Sequence, residues 1–151
     1  MARYTVAPGC VTATQACEWV GLDYDTYIKL VAEGWLERTP TSGIDIDYFA
    51  ALFLFSQLAK RLGFEVVRHV WKQIGNEVSS GSLEGNYLKV YVGIPMPAAR
   101  LLRSPAELDQ AMADEEAGRA IDALSLLKRA RTFFEGGGTA KVREQLHVLE
   151  A

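Results

Sequence analysis

Four cations within thirteen residues, Lys60, Arg61, Arg68 and Lys72, form a compact basic block in the first half of this 151-residue chain. Glu65 alone opposes them, so the block carries +3, while residues 1–59 carry −4 and residues 73–151 carry −2. The whole-chain charge of −3 therefore hides a local site for an anionic partner, and for such a partner placement matters more than the total. Other reactive side chains are scattered. Cys10 and Cys17 lie seven apart without CxxC spacing, and His69 and His147 are remote from them in sequence, so two reduced, partly buried thiols are expected rather than a metal or redox centre. Asp114-Glu115-Glu116 reads as a solvated helix face rather than a cation site. GxSxG, P-loop, GxGxxG and HExxH patterns are all absent, so neither an enzyme nor a cofactor is expected.

The cations need a scaffold, and the composition can supply one. At 49% hydrophobic the chain can bury one moderate core or two small ones. No apolar run approaches the roughly 20 residues that cross a bilayer. The uncharged stretch from Tyr48 to Ala59 is too short, and the start, MARYTVAPGC, lacks the charged-then-apolar layout of a secretory signal. The expectation is a cytoplasmic protein with no membrane partner.

Local signals divide the first half into helices. Arg3–Val6 could be a strand or arm, broken by Pro8-Gly9. Thr12 is an N-cap for a helix from Ala13 to about Val20, with Gln15 completing a capping box and Gly21 ending it. Asp23 caps a second helix, Tyr24 to about Ala32, in which Tyr27, Leu30 and Val31 recur at helical spacing before Gly34. Residues 38–43, RTPTSG, are a turn by composition, flanked by extended pieces around Leu36 and Ile44 that predict a small hairpin. Asp45 or Asp47 then caps a helix from Tyr48 to about Leu62, apolar on nearly every side. Gly63 interrupts, and Phe64 to about Ile74 forms another helix with Val67, Val70, Trp71 and Ile74 on one face. Phe49 and Phe53 would lie partly uncovered by these helices, so packing against the C-terminal region is expected, with a dimer partner or another protein as the alternative cover.

Residues 79–84 read as a linker between an N-terminal domain, 1–78, and a C-terminal one, 85–151. Tyr87 to Val92 alternates as a strand, with Leu88, Val90 and Val92 on one side and Lys89 and Tyr91 on the other; Pro95 and Pro97 end it. A short helix is expected around Ala98 to Leu102. Ser104, Pro105 and Glu107 make a strong helix start. That helix continues toward Phe134, with a break near Asp114, and Gly136 to Gly138 stop it. Its apolar positions suit a buried bundle helix at least as well as a dimer seam. Thr139 caps a last helix.

Taken in order, residues 12–74 resemble the DNA-binding domain of the MerR family and its excisionase relatives. The segment TATQACEWVGLDYDTYIKLVAEGWL resembles the family's helix-turn-helix, with Gly21 in the turn, Thr26 early in the second helix and the Gly34-Trp35-Leu36 exit. Leu62-Gly63-Phe64 resembles the junction of the two-helix element that follows the wing. The resemblance covers under half of the chain. It implies a mainly α protein: a winged helix-turn-helix followed by a small helical C-terminal domain with one or two short strands.

The same resemblance implies sequence-specific binding of double-stranded DNA by a transcriptional regulator or a phage or mobile-element accessory factor. Tyr24, Thr26 and Lys29 would face base edges, Arg38 would serve the wing, and Lys60, Arg61 and Arg68 would hold phosphates, with Lys72 adjacent. A palindromic target would call for a homodimer. The chain departs from the family in having Ile28, Lys29 and Leu30 where an arginine followed by aromatic residues is common. It also places Asp23 and Asp25 at the start of the presenting helix. Those carboxylates favour the alternative, a winged-helix module that docks on RNA polymerase or on a phage assembly partner, as in small terminase subunits.

Overall fold

The computed structural model describes residues 7–79, 87–94, 98–114 and 117–136. Arg3–Val6, the linker from Ser80 and the helix expected after Thr139 lie outside the described residues. The fold is mainly helical with a small three-stranded antiparallel sheet. Its order is α1 (Ala13–Val20), α2 (Tyr24–Ala32), α3 (Ile46–Leu62), α4 (Phe64–Ser79), β1 (Lys89–Ile94), β2 (Ala98–Leu102), α5 (Pro105–Asp114), β3 (Ala117–Asp122) and α6 (Ala123–Glu135). Among the described residues no helix is long and apolar enough to cross a membrane.

Local chemistry sets the ends of α1 and α2. The Thr12 hydroxyl accepts from the Gln15 amide at 3.1 Å, and the Asp23 carboxylate accepts from the Thr26 amide at 3.2 Å. Each cap satisfies one of the amides a helix start leaves unpaired. Both helices end in the same way, on a glycine at positive φ, 76° at Gly21 and 80° at Gly34. There the Leu22 amide reaches back to the Cys17 carbonyl at 3.0 Å, and the Trp35 amide to that of Leu30 at 2.9 Å. These six-to-one bonds make both ends Schellman motifs and turn the next side chain, Leu22 or Trp35, back toward its helix.

Helix α3 is the axis of the molecule. Ten consecutive residues, Phe49 to Leu58, are buried, so α3 has neighbours on several sides: α1, α4 and α6, with Tyr27 of α2 reaching Tyr48 near its start. Phe49 and Phe53 are fully buried. The cover for Phe49 comes from the C-terminal region, as expected, with ring centroids 6.0 Å from Phe133, 5.3 Å from Phe134 and 5.8 Å from Trp19. Farther along, Phe55 meets Trp71 edge-on at 5.2 Å. Polar ties fix the packing: the buried Ser56 hydroxyl donates to the Val20 carbonyl at 3.1 Å, and the Arg131 guanidinium pairs with Asp47 at 2.5 Å. Asp45 is the N-cap of α3, which leaves Asp47 for α6. One continuous core thus includes residues of α1, α2, α3, α4, β1 and α6.

Three expectations need correction. Ala98–Leu102 is a strand, not a helix, because β1 offers it a full antiparallel register from Lys89↔Leu102 to Gly93↔Ala98. The helix that starts at Pro105 does end at Asp114, near the expected break, but a further strand, β3, follows before α6 and pairs with the other edge of β1. The sheet, ordered β2-β1-β3, therefore has three strands, where one or two were expected. The alternation in β1 holds: Leu88, Val90 and Val92 enter the main core, while Tyr91 joins Leu102 and Ala111 in a second, small cluster under α5. The third correction concerns residues 36–44. Ile44 forms its bridge with Val11, just before α1, rather than with the extended piece at Leu36. Ile44 is fully buried, and that burial holds the far end of the loop against α1.

Candidate functional site

Helix α2 lies on the surface with one side in the core. Tyr27 and Leu30 are buried, while Tyr24, Asp25, Ile28, Lys29 and Ala32 are exposed. Successive residues of a helix turn by about 100°. The exposed set therefore falls into two adjacent stripes: Tyr24, Ile28 and Ala32, and beside them Asp25 and Lys29. Thr26 is half-buried, and its hydroxyl donates to the Asp23 carboxylate at 3.3 Å, so it serves the helix start.

The basic block reaches both ends of this helix. Lys60, in the last turn of α3, brings its Nζ to 3.7 Å from the point where a Cβ on Gly21 would sit, at the turn that leads into α2. Arg68, on α4, lies at the other end, 3.8 Å from Glu33 and 5.3 Å from the centre of the Trp35 ring. Lys72, one turn on, places its Nζ 4.2 Å over the same ring. The Trp35 indole donates to Glu33 at 2.9 Å. Arg68 also pairs with Glu65 at 3.3 Å, a neighbour three residues away on its own helix. Lys60 and Arg61 sit where the carbonyl end of α3 favours positive charge. Arg61 is half-buried, and its carbonyl accepts from Arg119 of β3 at 2.8 Å, which anchors the sheet to this end of α3.

The loop from Glu37 to Gly43 is tied down by a chain of hydroxyls. Tyr48 donates to the Glu37 carbonyl at 2.6 Å. Since a phenol has one proton, Tyr48 must then accept from Tyr27 at 2.8 Å, and Tyr27 from Thr39 at 2.5 Å. Burial pushes both phenols above their ordinary pKa, so the relay stays neutral. The sequence suggested Tyr27 for its apolar body; its hydroxyl, which positions the loop, carried no legible signal. Arg38 is exposed on this loop. Between the loop, α1 and α2 lies an open groove of about 510 Å³, lined by Ala13, Tyr24, Ile28, Thr39, Pro40 and Thr41 among others.

The structure thus places Lys60 and Arg68 near the two ends of α2, Tyr24 and Lys29 on its exposed side and Arg38 on the loop, and draws Thr26 into the helix start. Sequence reasoning passed over Ile28 and Trp35 as site residues. Ile28 could have been found from its place four residues after Tyr24, on the side of α2 away from Tyr27 and Leu30. Among the described residues no three His, Cys, Asp or Glu side chains are grouped to hold a metal ion. Cys17 is buried, and burial, with a smaller effect from Asp23, pushes its thiol from an ordinary 9.0 up to about 11. Comparison of the chain with models of protein families, with curated proteins and with solved structures finds no match, so the face must be interpreted from its own geometry.

Proposed function

We propose that this protein binds double-stranded DNA through the outer face of α2, as a winged helix-turn-helix of MerR or excisionase type acting as a transcriptional regulator or mobile-element accessory factor. One observation carries the reading: the basic block at residues 60–72 brackets α2, with Lys60 at the Gly21 turn and Arg68 and Lys72 at the Trp35 exit. A helix held outward with cations at both ends matches what a duplex requires, since side chains reach base edges in the groove while flanking cations hold phosphates. Lys29 adds a cation on the helix itself, and Arg38 one on the neighbouring loop. The apolar side of α6 is buried against α3, so a homodimer on palindromic DNA would pair through another surface.

The test is duplex binding by the full chain at rising salt. Affinity should fall steeply, with a logarithmic slope of about 0.9 per phosphate held. Lys60→Gln and Arg68→Gln should each flatten that slope, and Arg61→Glu should abolish binding. Salt-independent binding, or indifference to all three changes, would overturn the proposal.

A second reading has its own support. Tyr24 and Ile28 are 42% and 45% exposed beside an open groove, and Asp23 and Asp25 repel phosphates. A protein partner, RNA polymerase or an assembly subunit, could dock there. Retention of a protein partner that survives salt and needs Ile28, without any duplex binding, would favour it.

A further inference from the structure

The large hydrophobic side chains exposed among the described residues are Tyr24, Ile28 and Met112, and two of these three stand one turn apart on α2. Exposed apolar surface is unfavourable in water and calls for something to cover it. Tyr24, Ile28 and the smaller Ala32 form a continuous apolar stripe along the helix, and the groove beside the first two is walled by Ala13, Pro40 and the threonines of the loop. No Arg, Asn or Gln occurs from Tyr24 to Ala32. The helix therefore lacks the side chains that most often read guanine or adenine through paired hydrogen bonds, and Lys29 is its one donor on the polar stripe. What an apolar stripe can read on a base edge is the C5-methyl of thymine, which projects into the major groove. Lys60 and Arg68 near the two ends of α2, with Lys29 on the helix itself, complement a polyanion, and that favours a duplex as the occupant.

We infer that α2 recognises thymine methyl groups, with Ile28 and Tyr24 as the specificity-determining contacts. The inference rests on the DNA-binding reading and adds to it which base feature is read. Asp25, on the adjacent stripe, can accept from a cytosine amine, which would place pyrimidines together on the strand that α2 follows.

The test begins with duplexes that the full chain recovers from a random pool. Each is resynthesised with deoxyuridine in place of thymidine, which deletes the methyl and keeps base pairing. Binding should weaken about fourfold per contacted methyl, the equivalent of one buried methylene-sized group. Ile28→Ala should lose most of that discrimination, and because the residue is exposed the variant should fold. Lys60→Gln should weaken thymine and uracil duplexes by the same factor. Salt-sensitive binding that ignores the methyl, or an Ile28→Ala variant that discriminates as well as the parent, would overturn this inference and leave DNA binding standing. Recovery of no duplex at all would overturn both and assign the stripe to a protein partner.

Discussion

Helices α2 and α3 are consecutive elements of one core and have opposite fates. Ten residues in a row are buried in α3, whereas α2 buries Tyr27 and Leu30 and exposes the rest of its length wholly or in part. The difference follows from neighbours rather than from helix strength. Helix α3 has α1 against one side, α4 on another and α6 across Phe49, so nearly every side chain has a partner. Helix α2 is nine residues long, too short to persist alone, and is held by two caps, two buried side chains and the hydroxyl chain through Tyr27. A scaffold with satisfied contacts on all faces can therefore hold out a helix whose outer face remains available.

The largest effect expected from that contrast is on folding. Phe49→Ala should cost about 3–5 kcal/mol in chemical denaturation, because three aromatic rings lose their common neighbour. Ile28→Ala on α2 should stay within about 0.5 kcal/mol of the parent. Equal losses at the two positions would break the comparison. Gly118→Val comes next. A Cβ there would run into the Tyr91 phenol across the sheet, and the overpacking should cost about 1–3 kcal/mol in the same assay. A neutral result would show that the second cluster has room.

Smaller effects sharpen the account of α2. Asp23→Ala removes its N-cap and should lower stability by about 1 kcal/mol. If the face meets phosphates, the same change should raise duplex affinity, because a carboxylate leaves the interface. A loss in both measurements would show that the Asp23 cap, and not phosphate repulsion, dominates duplex binding. Glu33→Gln releases Arg68 from one of its two carboxylates and should raise duplex affinity by about twofold, the modest scale of an exposed ion pair. The least effect comes from the Cys17 thiol. Its folded pKa lies above its unfolded one, so its contribution is complete below pH 9 and declines toward about pH 11 as the unfolded chain ionises first. Melting temperature should fall over that range. The fall should be shallower in Cys17→Ala, and identical slopes would show that the thiol titrates normally.

Much of the first half could be read locally. Thr12, Gly21, Asp23 and Gly34 act through bonds that span six residues or fewer, so the ends of α1 and α2 followed from adjacent residue types. The strand Ala98–Leu102 could not be read that way. AARLL carries no strong strand preference and becomes extended because β1 pairs with it in full register. The same holds for AGRAID in β3, where Gly118 makes room for Tyr91. The face around α2 divides similarly. That cations cluster at Lys60–Lys72 was evident from the order of residues. That two of them stand at opposite ends of α2, and that Arg68 is shared with Glu33 and Trp35, depends on tertiary packing that brings α3 and α4 to the two turns flanking α2.

The amino-acid order by itself determined where helices begin and stop and where positive charge collects, since capping, backbone freedom at glycine and charge spacing act over a few residues. Only the tertiary structure decided which apolar side chains would be covered and which short segments would become strands. Burial and strand pairing depend on groups far apart in the chain: Phe133 covers Phe49, and Ile28 remains in the open.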